Sequence, residues 1–236
     1  MMPVRYALCG LLLMAGPVVA SAETALAAWV PAGWKQVARA TGDLTKDGAD
    51  DEVLVLEQTA AANLKPNDSL GAPQLNLNPR RLLILANTAA GYQPLLSRDD
   101  LLPSEHDAEA PCLADPLLEQ GGIAVRGGKL MITLGYWLSC GSYGVTTNHF
   151  TLRLEGQRLR LIGYDSQSFS RNSGEISETS INYLTAKKKT TSGKNEFEDS
   201  TAVEAWSKLA DLPKFYLDEM RLDCFASDEP GCGWDR

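Results

Sequence analysis

The sequence predicts an all-β domain built from antiparallel sheets, either propeller-like or sandwich-like. Apolar and polar residues alternate with a period of two through much of the chain. The apolar runs are short, rich in β-branched and aromatic residues, and bounded by Gly, Asn, Asp or Pro. Helical spacing is persuasive only from Thr201 to Leu209, where Val203, Trp206 and Leu209 would share one face.

Strands are expected at Lys35 to Ala40, Glu52 to Glu57, Arg81 to Asn87, Gly122 to Arg126, Leu130 to Leu138, Thr146 to Leu154 and Arg158 to Tyr164, with another at Glu178 to Lys187. Arg126-Gly127-Gly128-Lys129 and Glu155-Gly156-Gln157 read as hairpin turns, because glycine takes the positive φ such turns require. They predict a meander from Gly122 to Tyr164. Leu64 to Pro79 and Arg98 to Gln120 read as long loops, rich in proline and in asparagine or acids.

The first 22 residues read as a cleaved secretory signal. A basic end, Met1 to Arg5, precedes the apolar run Tyr6 to Ala20, and Ala20-Ser21-Ala22 supplies small residues for cleavage. The run is shorter than the roughly 20 residues needed to span a bilayer, and no later run comes near that length. Cys9 lies early in the run and not just after it, so lipidation is not expected. Residues 23–236 are then a single periplasmic or secreted domain.

The chain carries a net charge of −8, and Arg5 is the one charged side chain of the signal, so the processed protein is more acidic still. Phosphate backbones and anionic lipid repel such a chain, and neither nucleic acid nor a membrane surface is an expected partner. Four cysteines remain after processing: Cys112, Cys140, Cys224 and Cys232. In an oxidising compartment two disulfides are the default. Three pairings are open, of which Cys112 with Cys140 and Cys224 with Cys232 keep each loop local. No C-x-x-C spacing suggests zinc.

The strongest motif is GDLTKDGADDEVLVLE. Asp43, Thr45, Asp47 and Asp51 stand at positions one, three, five and nine, with Gly48 at six and the backbone carbonyl of Ala49 at seven. Calcium takes six to eight oxygens in a flexible shell, and alternate residues of a tight loop can all point inward. The competing reading is an acidic turn, since Asp and Gly favour turns for local reasons. The loop is not an EF-hand, because a strand follows and position twelve carries no bidentate Glu. It resembles the calcium loop of integrin-α and related propeller repeats, with Thr45 in place of the usual Asp or Asn.

Together with VPAGWKQVARAT before it, and RRLLILAN, RLRLIGYD and ETSINYLTAKKK after it, this motif resembles a family of bacterial envelope proteins bearing a single integrin-like calcium loop. The resemblance implies a propeller-like fold and a bound calcium ion. Some members look like immunity proteins that shield a cell from lysozyme-like effectors, so it also implies a peptidoglycan hydrolase as partner.

Bacterial lysozyme inhibitors place a loop carrying Ser-Gly-x-Tyr or a close variant in the enzyme's cleft. Cys140-Gly141-Ser142-Tyr143 is similar, with cysteine at the first position. A tyrosine on a stapled hairpin offers a large contact area at small entropic cost. The plainer reading is a stapled glycine-rich turn. The acidic loop Asp99 to Asp115 would speed capture of a basic target.

Enzyme signatures are missing from the sequence. It holds two histidines, His106 in the acidic loop and His149 in a strand, and no G-x-S-x-G, H-E-x-x-H or phosphate-binding glycine loop. A paired-carboxylate hydrolase would need a geometry that spacing does not reveal. The expectation is therefore a non-enzymatic inhibitor. The alternative is a calcium-stabilised envelope module that binds wall glycan or another protein without inhibiting it. The oligomeric state is open.

Overall fold

The structure, a computed structural model, describes residues 25–210 and 212–222. The expected signal peptide, Cys224 and Cys232 lie outside the described residues. The chain divides into two units, Met1–Ala32 and Gly33–Arg236. In the first, the described residues 25–32 form a short helical turn. The second carries every strand found among the described residues.

Among the described residues, thirteen strands follow in order: β1 (Trp34–Gly42), β2 (Asp51–Gln58), β3 (Leu64–Pro66), β4 (Gln74–Asn76), β5 (Arg80–Thr88), β6 (Gly91–Leu102), β7 (Gly122–Arg126), β8 (Lys129–Trp137), β9 (Gly144–Glu155), β10 (Arg158–Ser170), β11 (Glu175–Asn182), β12 (Lys187–Asn195) and β13 (Val203–Lys208). All pairings are antiparallel. One sheet has the order β1-β2-β5-β6, a second β13-β12-β11-β10-β9-β8-β7, and β3 and β4 form a small hairpin. The fold is all-β. Among the described residues, no helix is long and apolar enough to cross a membrane.

The two large sheets share one core, which makes the arrangement sandwich-like. Val53, Val55, Leu82 and Ile84 of the first sheet pack with Leu130, Ile132, Phe150 and Leu152 of the second. Alternation places these residues on one face of each strand. β2 departs from simple alternation: Asp51 through Glu57 are all buried, so its VLVL run is covered on both faces. Where β1 ends against β7, a Cβ on Gly42 would lie 2.7 Å from Val125 Cγ1, so only glycine permits this approach.

Three expectations about secondary structure are corrected. Thr201 to Leu209 holds no helix; Val203–Lys208 is the edge strand β13, paired with β12. Of the apolar side chains that suggested a helical face only Leu209 packs on the core, Trp206 being 65% and Val203 61% exposed, so the open backbone edge of β12 decides the conformation. Glu178 to Lys187 is not one strand. Asn182 Oδ1 accepts the N–H groups of Leu184 and Thr185, and this turn ends β11 and returns the chain into β12. The two long loops are partly structured: β3 and β4 lie in the first, and β6 runs to Leu102, inside the second.

Candidate functional site

The Asp43 to Asp51 loop is the turn of the β1–β2 hairpin. Lys46, at φ 63°, and Gly48, at φ 92°, bend it back on itself, and at Gly48 an L side chain would be strained. Asp43 Oδ1 accepts the N–H groups of Lys46 (2.5 Å) and Asp47 (3.2 Å), and Oδ2 accepts that of Gly48 (3.0 Å). Asp47 Oδ1 accepts from Ala49 N at 2.9 Å. Asp51 is fully buried: its Oδ2 accepts from Leu44 N and Thr45 N, and its Oδ1 from Asn87 N on β5. Asp51 therefore ties the turn to the neighbouring strand.

Whether these oxygens suit calcium depends on what they have left to give. A carboxylate offers about four lone-pair directions. Asp43 and Asp51, each with three N–H donors, keep about one apiece, and Asp47 keeps more. Thr45 Oγ1 is buried and has no hydrogen-bond partner. The set is all oxygen, which suits a hard cation. The side chains are not gathered about a point, however: among the described residues, no group of three or more His, Cys, Asp or Glu stands ready to hold a metal ion.

Cys140, Gly141, Ser142 and Tyr143 join β8 to β9, and three devices hold them. The Cys112–Cys140 disulfide is the first; it is the local partnership expected for these two cysteines. Backbone bonds flank it, from Ser139 N to Cys112 O and from Ala114 N to Trp137 O. Arg171 is the second: its Nη2 donates to Leu138 O and Ser142 O, both at 2.7 Å, and its backbone N–H to Tyr143 O at 2.9 Å. The guanidinium lies 5.3 Å from the ring centroid of half-buried Trp137. Nothing in the sequence pointed to Arg171, which lies 28 residues beyond Tyr143 and is brought there by the pairing of β9 with β10.

The third device sits deeper. Arg80 is fully buried and donates to both oxygens of Asp115, at 2.7 and 2.5 Å, and to Glu57 Oε2 at 3.0 Å. Asp115 Oδ1 also accepts from Leu117 N and Leu118 N. This network anchors the connection from β6 to β7, which carries Cys112. Burial alone would lower the basicity of Arg80, but the facing Asp115 and Glu57 carboxylates outweigh it and hold the guanidinium charged.

Tyr143 emerges from this frame 62% exposed. The acidic segment behind it is less free than its sequence suggests. Asp99 pairs with Arg81, Asp100 with Arg98, and Asp115 with Arg80, leaving Glu105, Asp107 and Glu109 without an arginine partner among the described residues. Both histidines have local partners: His106 Nδ1 accepts from Asn76 N, and His149 Nδ1 lies 2.9 Å from Thr133 Oγ1.

No protein-family model, curated protein or solved structure significantly matches the chain. The resemblance to the envelope family thus rests on the Asp43 to Asp51 loop and its flanking segments alone.

Proposed function

We propose that the chain is a periplasmic inhibitor of a lysozyme-like peptidoglycan hydrolase, inserting the Cys140 to Tyr143 hairpin into the enzyme's cleft. The observation that carries this reading is an exposed tyrosine on a loop fixed by a disulfide and by the Arg171 clamp. Exposed aromatic area on a flexible loop loses much of its binding energy to ordering; on a fixed loop that cost has already been met in folding. A phenol also offers a hydroxyl to a catalytic carboxylate while its ring fills a sugar subsite. The reading assigns no reaction to the chain itself.

The test is inhibition of wall lysis by a panel of lysozymes and lytic glycan hydrolases. Tyr143→Ala is expected to remove a central contact worth about 2 kcal/mol or more, weakening inhibition at least ~30-fold. Its melting temperature should stay close to the parent's, because the side chain lies outside the core. Equal inhibition by parent and variant, or none by either across the panel, would reject the wedge.

Calcium belongs to the same proposal. Asp43, Thr45, Asp47, Ala49 through its carbonyl, and Asp51 would hold one ion, supplying charge neutralisation in the turn and no chemistry. Ion present at about a hundred times its dissociation constant adds about 2.7 kcal/mol. The expected result is a melting temperature that rises with calcium, falls back with chelator, and is insensitive to both in Asp43→Ala. A parent protein that melts identically with calcium and with chelator would exclude the ion.

A further inference from the structure

Beyond Tyr143 the seven-stranded sheet continues past the region that packs on the first sheet, and the chemistry of its inner face changes. Close to the core the face carries Ile132, Phe150, Tyr164 and Ile181, in register across four strands. Two register steps further along, the same face carries Tyr136, Thr146, Ser168 and Ser177. An open cavity of about 560 Å³ forms here, within the roughly 300–1,000 Å³ of small-molecule sites. Its lining includes Ser168, Ser170, Ser177, Ser192, Glu175 and Glu198.

We propose that this cavity binds a short, uncharged oligosaccharide. The lining selects that class over the others. An apolar ligand would strip water from the exposed hydroxyls of Ser177 and Ser192 without replacing their hydrogen bonds. An anion would meet Glu175 and Glu198, and the ammonium of Lys194, which also lines the cavity, is held by both oxygens of Glu178 at 2.9 and 2.7 Å. A sugar hydroxyl both donates and accepts, as serine does, and a carboxylate accepts from neighbouring hydroxyls. Short side chains leave a low floor over which a pyranose ring can lie.

An aromatic pair stands at the border of the cavity. Phe197, in the loop that follows β12, is 58% exposed and sits edge-on to Phe169 with centroids 6.4 Å apart, and Phe169 itself lines the cavity. The loop is set by side-chain bonds: Asn195 Oδ1 accepts from Phe197 N, Asn195 Nδ2 donates to Ser173 O, and Ser200 Oγ accepts from Asn195 N. The exposed ring is therefore held in place by its loop.

The cavity and the Tyr143 loop are neighbours, since Gly144 lines the one and follows the other, but the inference does not rest on inhibition. Its experiment is a titration of the ¹⁵N-labelled chain with the tetrasaccharides of N-acetylglucosamine, cellulose and starch, followed through backbone amides. At least one is expected to shift the amides of Ser168, Ser177 and Ser192 in a saturable manner. Ser177→Arg with Ser192→Arg, both at exposed positions, should weaken that binding at least about tenfold while the melting temperature holds. If that pair disturbs the sheet, Ser177→Arg alone is expected to weaken it. Tyr143→Ala should leave the titration unchanged, so that this site and the wedge can fail separately. No saturable shift at these amides with any of the three sugars overturns the proposal, as does binding that both sets of substitutions leave intact.

Discussion

Asp115→Ala is expected to cost about 3–5 kcal/mol of stability, a large effect for a single change. The substitution removes more than a contact: Arg80, with no exposed surface, keeps its charge and loses its bidentate partner. Glu57 cannot replace it, being already bonded to Arg80, Lys35 and Asn76. Urea denaturation measures the loss directly. Arg80→Met together with Asp115→Leu and Glu57→Gln should recover much of it, because a site emptied of charge needs no ionic partner. A loss below about 1 kcal/mol for Asp115→Ala would show that water reaches the guanidinium.

The same network gives an acid limb to the stability curve. Burial by itself would raise the pKa of Glu57, but hydrogen bonds from Lys35 and Arg80 and the Arg80 charge outweigh it and hold the carboxyl below its ordinary value. A depressed carboxylate stabilises the fold fully above the unfolded-state pKa, about 4.3, and this contribution is lost as pH falls through the lower folded value. Glu57→Gln should therefore flatten the pH dependence below about pH 4.

Removing the Cys112–Cys140 disulfide, as Cys112→Ala with Cys140→Ala, is expected to cost roughly 3–4 kcal/mol through the entropy of a loop closed across 28 positions. The consequence for Tyr143 is separable from that loss. In the double variant the hairpin keeps Arg171 but loses its covalent tie, so amide exchange at Gly141 to Tyr143 should accelerate even in conditions where the sheet is fully folded. Unchanged exchange there would assign the rigidity of the loop to Arg171 instead.

Much of this fold was legible in the sequence because it is written in local patterns. The VLVL run of β2, the Gly127-Gly128 turn and the alternation through β8 to β10 each state their structure within a few residues. What escaped depends on distant groups. β13 is a strand because β12 offers it an edge, and Trp206 at helical spacing from Val203 outweighed that in a one-dimensional reading. The Asp43 to Asp51 turn was found by its spacing, whereas the clamp on Tyr143 was hidden, since an arginine's partners here are three backbone carbonyls that carry no residue identity. The serines of the cavity were equally silent: they come from β10, β11 and β12, and converge only when those strands pair.

The order of strands within the two sheets carries a further consequence, for how the chain acquires its shape. In the larger sheet spatial order is simply chain order, from β7 to β13. Each strand can add to a hairpin already formed, with only short segments to close at every step. In the smaller sheet β2 lies beside β5, and the intervening segment with the β3–β4 hairpin must be looped out before that pairing can form. Loop closure costs entropy that grows with the length enclosed, though only by about 0.6 kcal/mol per doubling, and non-local pairing slows assembly. The larger sheet should thus gain protection first in pulse-labelled hydrogen exchange, with β2 and β5 following, and trimming the segment between them should narrow the interval.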